Sequence, residues 1–123
     1  MRIPPLLGHV AAFIAAALLL ANAQAADSVP APSAERAREL IHIVRQDCGS
    51  CHGLKLAGGL GPALTPDVLA DKPAESLVAT VVSGRPGTPM PPFLGIVTEA
   101  EAEWIVAQLL QGFPADAGLP PAR

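Results

Sequence analysis

The sequence predicts an all-α fold of three to four helices, and three observations carry that reading. Apolar residues recur at helical spacing over residues 34–47 and 98–113, and a shorter run with one apolar side ends at Ser83. The intervals between these runs are rich in glycine and proline, with no alternating pattern that would mark a strand. Only 3% of the 123 residues are aromatic, so side chains alone make a thin core for one domain. A bulky non-protein body is expected to complete it.

Residues 1–25 read as a cleavable export signal. Arg2 precedes an uninterrupted apolar run over residues 10–21, too short for a spanning helix, and Ala23-Gln24-Ala25 has the small-x-small form of a cleavage site. Removal of this segment leaves no stable membrane anchor, and export implies an oxidising compartment, the periplasm. Residues 26–33 hold small residues and prolines and form a flexible leader. Ser33 is placed to cap a helix over about 34–47, in which Ala37, Leu40, Ile41, Val44 and Cys48 share a stripe and Arg38, His42 and Arg45 lie on the wet face.

Four glycines between Gly53 and Gly61 mark a loop whose backbone takes unusual angles or closely approaches another group. Thr65-Pro66-Asp67 has the order of a cap, a first-position proline and a first-turn acid, giving one or two turns through Ala70. Asp71-Lys72-Pro73 gives a second start signal of this kind before a helix to about Ser83, with Leu77, Val78, Val81 and Val82 on one side and Gly84 as its stop. Residues 84–92 are too rich in proline and glycine for a regular element and form a stiff loop. Thr98 and Glu101 make a capping-box pair for a last helix whose stripe is Ala102, Ile105, Val106, Leu109 and Phe113. Residues 34–113 therefore make the folded domain, and 114–123 a disordered tail.

The formal charge is −3. With the signal removed, seven basic residues face eleven acidic ones, which argues against nucleic acid as a partner.

Cys48-Gly49-Ser50-Cys51-His52 matches the signature for covalent haem attachment. Two thioether bonds fix the short segment across one edge of the porphyrin, and the next residue is carried under the iron as its proximal ligand. Three other chemistries fit less well. Zinc needs about four ligands, and beyond the signal there are two cysteines and two histidines. A thioredoxin-like dithiol belongs beside a βαβ unit. A disulfide over two intervening residues closes a very short loop and stabilises little.

A low-spin electron carrier needs a second axial ligand. Once Met1 leaves with the signal, Met90 is the remaining methionine, held in Pro86-Gly87-Thr88-Pro89-Met90-Pro91-Pro92, and His42 is its histidine competitor. One haem c is expected, bound through Cys48 and Cys51 with His52 and Met90 as axial ligands.

The helix before Cys-x-x-Cys-His, the Gly-Pro-x-Leu segment at Gly61-Pro62-Ala63-Leu64, the Pro-Gly-Thr-x-Met loop and the closing helix resemble class I cytochromes c over about residues 33–113. That resemblance implies the class I cytochrome c fold. It implies that the Pro62 carbonyl accepts the proton of the proximal imidazole, that Leu64 packs near the ring, and that Thr88 hydrogen-bonds near a haem propionate. The alternative for Thr88 is a simple turn hydroxyl. Arg85 is a further candidate for a propionate.

More narrowly, Gly58-Gly59-Leu60-Gly61-Pro62-Ala63-Leu64 and the Gly84 to Pro92 loop resemble the small NirC-type cytochromes of denitrifying bacteria. The function so implied is a monomeric periplasmic carrier of single electrons, not an enzyme, delivering them to haem-containing nitrite reductase. Two alternatives stand beside it: a haem ligand-binding protein or enzyme with a displaceable methionine, and an assembly factor for the reductase cofactor. With two propionates added, the negative charge favours partners with a basic docking surface.

Overall fold

The structure, a computed structural model, describes residues 29–115. The signal segment, the start of the leader and most of the tail lie outside them. The first helix begins as expected: the Ser33 hydroxyl accepts from the Arg36 amide at 3.2 Å, and α1 runs over Ala34–Ile43.

The expected end at residue 47 is too early. The chain continues through a π turn, Val44–Cys48, directly into α2, Gly49–His52. The cysteine segment is itself helical, and the Ser50 hydroxyl donates to the Asp47 carbonyl at 2.7 Å inside it. A π turn takes in an extra residue, so side chains beyond it are turned relative to a plain α-helix. Val44, its first residue, and His52 after it are both buried. Gly53, at φ +84°, then breaks the helix.

Three further helices follow: α3 over Pro66–Leu69, α4 over Ala74–Ser83 and α5 over Glu99–Gln111. Helix α3 begins on Pro66 as read from the sequence. Helix α4 starts one residue later than expected, with Pro73 as its cap residue and Lys72 paired to Asp71 at 2.9 Å. Helix α5 has the anticipated capping box: the Thr98 amide donates to Glu101 Oε2 at 2.7 Å and the Glu101 amide to Thr98 Oγ1 at 3.2 Å. There is no strand among the described residues, where an isolated bridge between Leu94 and Val97 is the sole β pairing.

The core is one cluster. Leu40 and Val44 from the first helix meet Ala102, Ile105 and Leu109 from α5, with Leu69 from α3 and two loop residues, Leu56 and Val97. Leu77, Val78, Val81 and Val82 of α4 pack against this cluster while remaining partly exposed. Leu56 is the outlier. It sits at φ +58° inside the glycine-rich loop and is 2% exposed. A left-handed leucine costs about 1–2 kcal/mol, which burial of its side chain offsets.

Two arginines bind the first helical segment to α5 and to the residues just after it. Arg36 pairs with Glu101 on α5 and with Glu39 on its own helix. Arg45 does not lie on a solvated face as the helical pattern suggested. Its guanidinium donates to the carbonyls of Phe113 at 2.7 Å and Pro114 at 2.7 and 3.0 Å, with the cation 5.5 Å from the Phe113 ring centre. Carbonyls beyond the end of a helix lack intrahelical partners, and a planar fork of N–H groups suits them.

Candidate functional site

His52 is buried, at 9% exposure, and its position is set from two sides. Nδ1 lies 2.6 Å from the Pro62 carbonyl oxygen. A carbonyl only accepts, so Nδ1 carries the proton and donates, which leaves Nε2 with its lone pair. Gly61 presses on the ring itself: a Cβ at that position would fall 2.8 Å from Cε1 and 2.9 Å from Nδ1.

The loop that brings Gly61 and Pro62 there is tied to the helix it returns to. The Gly58 amide donates to the His52 carbonyl at 2.8 Å and the Gly61 amide to the Cys51 carbonyl at 2.8 Å. A Cβ at Gly59 would lie 2.8 Å from that same Cys51 carbonyl. These approaches account for the run of glycines.

Cys48 and Cys51 are free thiols, the first half-buried and the second exposed. Burial pushes the Cys48 thiol up to about 11, and the charge of Asp47 adds to the effect. A thiol held protonated is a poor redox thiolate. Among the described residues no group of three or more histidine, cysteine or acidic side chains is arranged to hold a metal ion by itself.

Met90 is half-buried in a loop closed onto α4. The Met90 carbonyl accepts from the Arg85 amide at 3.1 Å, and the Phe93 and Leu94 amides donate to Val81 and Val82 at 3.0 and 3.3 Å. Gly84, at φ +66°, packs so tightly on this loop that a Cβ would fall 2.7 Å from the Met90 carbonyl oxygen. The Thr88 hydroxyl donates to the Arg85 carbonyl at 2.7 Å and accepts from the Met90 amide at 3.3 Å. Both bonds are of the kind a turn hydroxyl makes. Arg85 is exposed, and Leu64 is half-buried against the core.

The structure thus brings His52, Pro62 and Gly61 together on one side, and Arg85, Thr88 and Met90 in a separate loop. The donor set is an imidazole with one free nitrogen, a thioether and two free thiols. That set fits a haem attached through both cysteines, since it offers one nitrogen and one sulfur ligand of the kinds haem iron accepts.

Residues 35–109 match the protein family described as Cytochrome C oxidase, cbb3-type, subunit III. The chain is 60% identical over 81 residues to "Cytochrome c55X" of Pseudomonas aeruginosa, covering 66% of this chain and 68% of that one. The chain belongs to the c-type cytochromes. A solved structure described as "c-type cytochrome NirC" is 59% identical to this cytochrome with a TM-score of 0.65, covering 66% of this chain and 95% of that one. A more distant relative, "Dihydro-heme d1 dehydrogenase" of Pseudomonas aeruginosa, is 40% identical over 75 residues, 60% of this cytochrome and 15% of that protein. The all-α cytochrome c fold and the likeness to small NirC-type electron carriers are both borne out by these relatives.

Proposed function

We propose that this cytochrome is a periplasmic carrier of single electrons in denitrification, with one haem c bound through Cys48 and Cys51 and with nitrite reductase as its acceptor. The observation that carries the reading is the 2.6 Å contact between His52 Nδ1 and the Pro62 carbonyl. That bond fixes the tautomer and the ring plane and points Nε2 away as an iron ligand.

The haem supplies reversible one-electron exchange between ferrous and ferric iron. Met90 would supply a sulfur donor to the iron from a loop that Gly84 and the α4 hydrogen bonds hold in place. A haem held by both His52 and Met90 would exchange electrons and not bind substrate, so the role proposed is that of a carrier and not an enzyme. A thioether opposite an imidazole raises the potential relative to two imidazoles, which suits a donor to a terminal reductase. No helix among the described residues is long and apolar enough to cross a membrane. Residues 1–25 supply the export signal in this reading.

The test is spectroscopic and kinetic. The purified ferric cytochrome is expected to show the low-spin spectrum and sulfur-to-iron band of methionine ligation, and Met90→Ala to lose that band and lower the potential. Reduced cytochrome mixed anaerobically with nitrite reductase and nitrite is expected to reoxidise. A Met90→Ala spectrum and voltammogram identical to wild type overturns the ligand assignment, and absence of reoxidation overturns the acceptor.

A second reading rests on the likeness to the dihydro-heme d1 dehydrogenase. In it the cytochrome handles electrons during assembly of the reductase's cofactor. Deletion would then abolish cofactor insertion, and a substitute electron donor to the mature reductase would not restore it.

A further inference from the structure

The cysteine segment continues the first helix, so the residue it turns towards the core depends on how many residues precede it. Leu40 and Val44, at 0% and 1% exposure, mark the buried face of that helix. In a plain α-helix each residue turns about 100° from the last, and about eleven residues make three turns. Cys51 stands eleven residues after Leu40 and would therefore share its face. His52, one residue further, would lie about a third of a turn away from it.

The structure has the reverse: His52 is buried and Cys51 exposed. Between Leu40 and His52 lies the π turn at Val44–Cys48, from which the Gly49 amide reaches back to the Val44 carbonyl as well as to that of Gln46. The extra residue sets the later side chains back by about 100°. That brings His52 onto the face of Leu40 and turns Cys51 off it. From there His52 meets Pro62 and Gly61, and the Cys51 carbonyl accepts the Gly61 amide. What matters is the count and not a particular side chain, since Gln46, exposed within the turn, makes no side-chain hydrogen bond to any described residue.

We infer that the π turn is a positioning element for the iron ligand, the one extra residue by which the chain presents His52 to its interior in place of Cys51. This role rests on the electron-carrier reading, in which His52 holds the iron. A plain helix would have to choose. With Leu40 packed beside Ile105 and Leu109 of α5, it would aim a thiol inward and the imidazole sideways. The π turn lets the same helix keep its packing against α5 and deliver the imidazole to the Pro62 carbonyl.

Two measurements on the haem-loaded cytochrome test this role. In the ferrous protein, scalar coupling across the hydrogen bond is expected between the Gly49 amide and the Val44 carbonyl. Coupling to the Arg45 carbonyl instead would show a plain helix and overturn the proposal. Deletion of Gln46 removes the extra residue. The shortened chain is expected to lose the sulfur-to-iron band, because the segment carrying His52 is turned about 100° relative to α5 and the Met90 loop, and its potential should fall with the loss of thioether ligation. Gln46→Ala keeps the count and should match wild type in band, potential and melting temperature.

A deletion variant that melts earlier but keeps the wild-type band and potential would show a role in stability alone and overturn the proposal. If the deletion chain yields no loaded protein, deleting Gln46 while adding an alanine after Asp47 restores the count. Recovery of the wild-type band and potential then supports the proposal, and failure to recover them overturns it. Wild type that loads haem without a sulfur-to-iron band would end Met90 ligation in the carrier reading and leave the Gly49 coupling to decide the register. Wild type that loads no haem would end both.

Discussion

Arg36 on α1 and Glu101 on α5 are joined by two hydrogen bonds, Nε to Oε1 at 2.6 Å and Nη2 to Oε2 at 3.1 Å. The same carboxylate caps α5 through the Thr98 amide, and Arg36 also donates to the Ile96 carbonyl at 3.1 Å. One acidic side chain therefore starts the last helix and binds it to the first. Glutamine keeps the capping geometry but loses the charge, whereas alanine loses both. Glu101→Gln is expected to cost about 1 kcal/mol and Glu101→Ala about 2 kcal/mol, measured by urea unfolding of the haem-loaded protein. Equal losses would show that the ion pair adds nothing to the cap.

The same pair imposes a pH dependence. The hydrogen bond from Arg36 holds the Glu101 carboxyl at about 2, below its ordinary 4.5. Between these values the unfolded chain binds the proton and the folded one does not, so stability rises with pH across that window. The contribution is fully present above about pH 4.5 and is lost as pH falls through about 2. The Glu101→Gln stability profile is expected to be flatter than wild type over that range and parallel to it near neutrality.

Gly61 tests how tightly the imidazole is seated. A Cβ there would overlap the His52 ring, so Gly61→Ala must displace either the ring or the loop. The expected cost is about 1–3 kcal/mol, typical of overpacking, together with a shifted visible spectrum and potential. A destabilised variant with an unaltered spectrum would show that the loop yields and the ring does not.

Arg45 offers a test of the segment that follows α5. Its donors satisfy the Phe113 and Pro114 carbonyls and approach that of Leu54 at 3.4 Å. Arg45→Ala is expected to cost about 1–3 kcal/mol, and Arg45→Lys to recover less than half, because an ammonium cannot reproduce the planar fork. Faster amide exchange at Gly112 and Phe113, with α1 protection unchanged, would locate the effect at the end of α5.

Much of the helical pattern was legible because helices are local. Ser33, Pro66, the Thr98–Glu101 pair and the stop at Gly84 each act within a few residues, and the structure has them in those roles. The π turn at Val44–Cys48 left no mark, since an apolar stripe tolerates one extra residue in a turn. Pro73 showed the opposite limit: proline favours the first helical position by sequence, and the structure has it at the cap.

The sequence by itself determined the chemistry available to this cytochrome: two thiols, an adjacent imidazole, a methionine in a proline-rich loop and a chain too poor in aromatics to fill its own centre. Tertiary structure alone decided that Gly61 must lack a side chain, that Leu56 fills the core from a left-handed position and that Arg36 and Arg45 bind elements more than sixty residues away. The physical reason is range. Helix caps and stripes are settled by neighbours one or two turns away, whereas a carbonyl's partner or the space left beside a ring depends on which distant segments the core draws together.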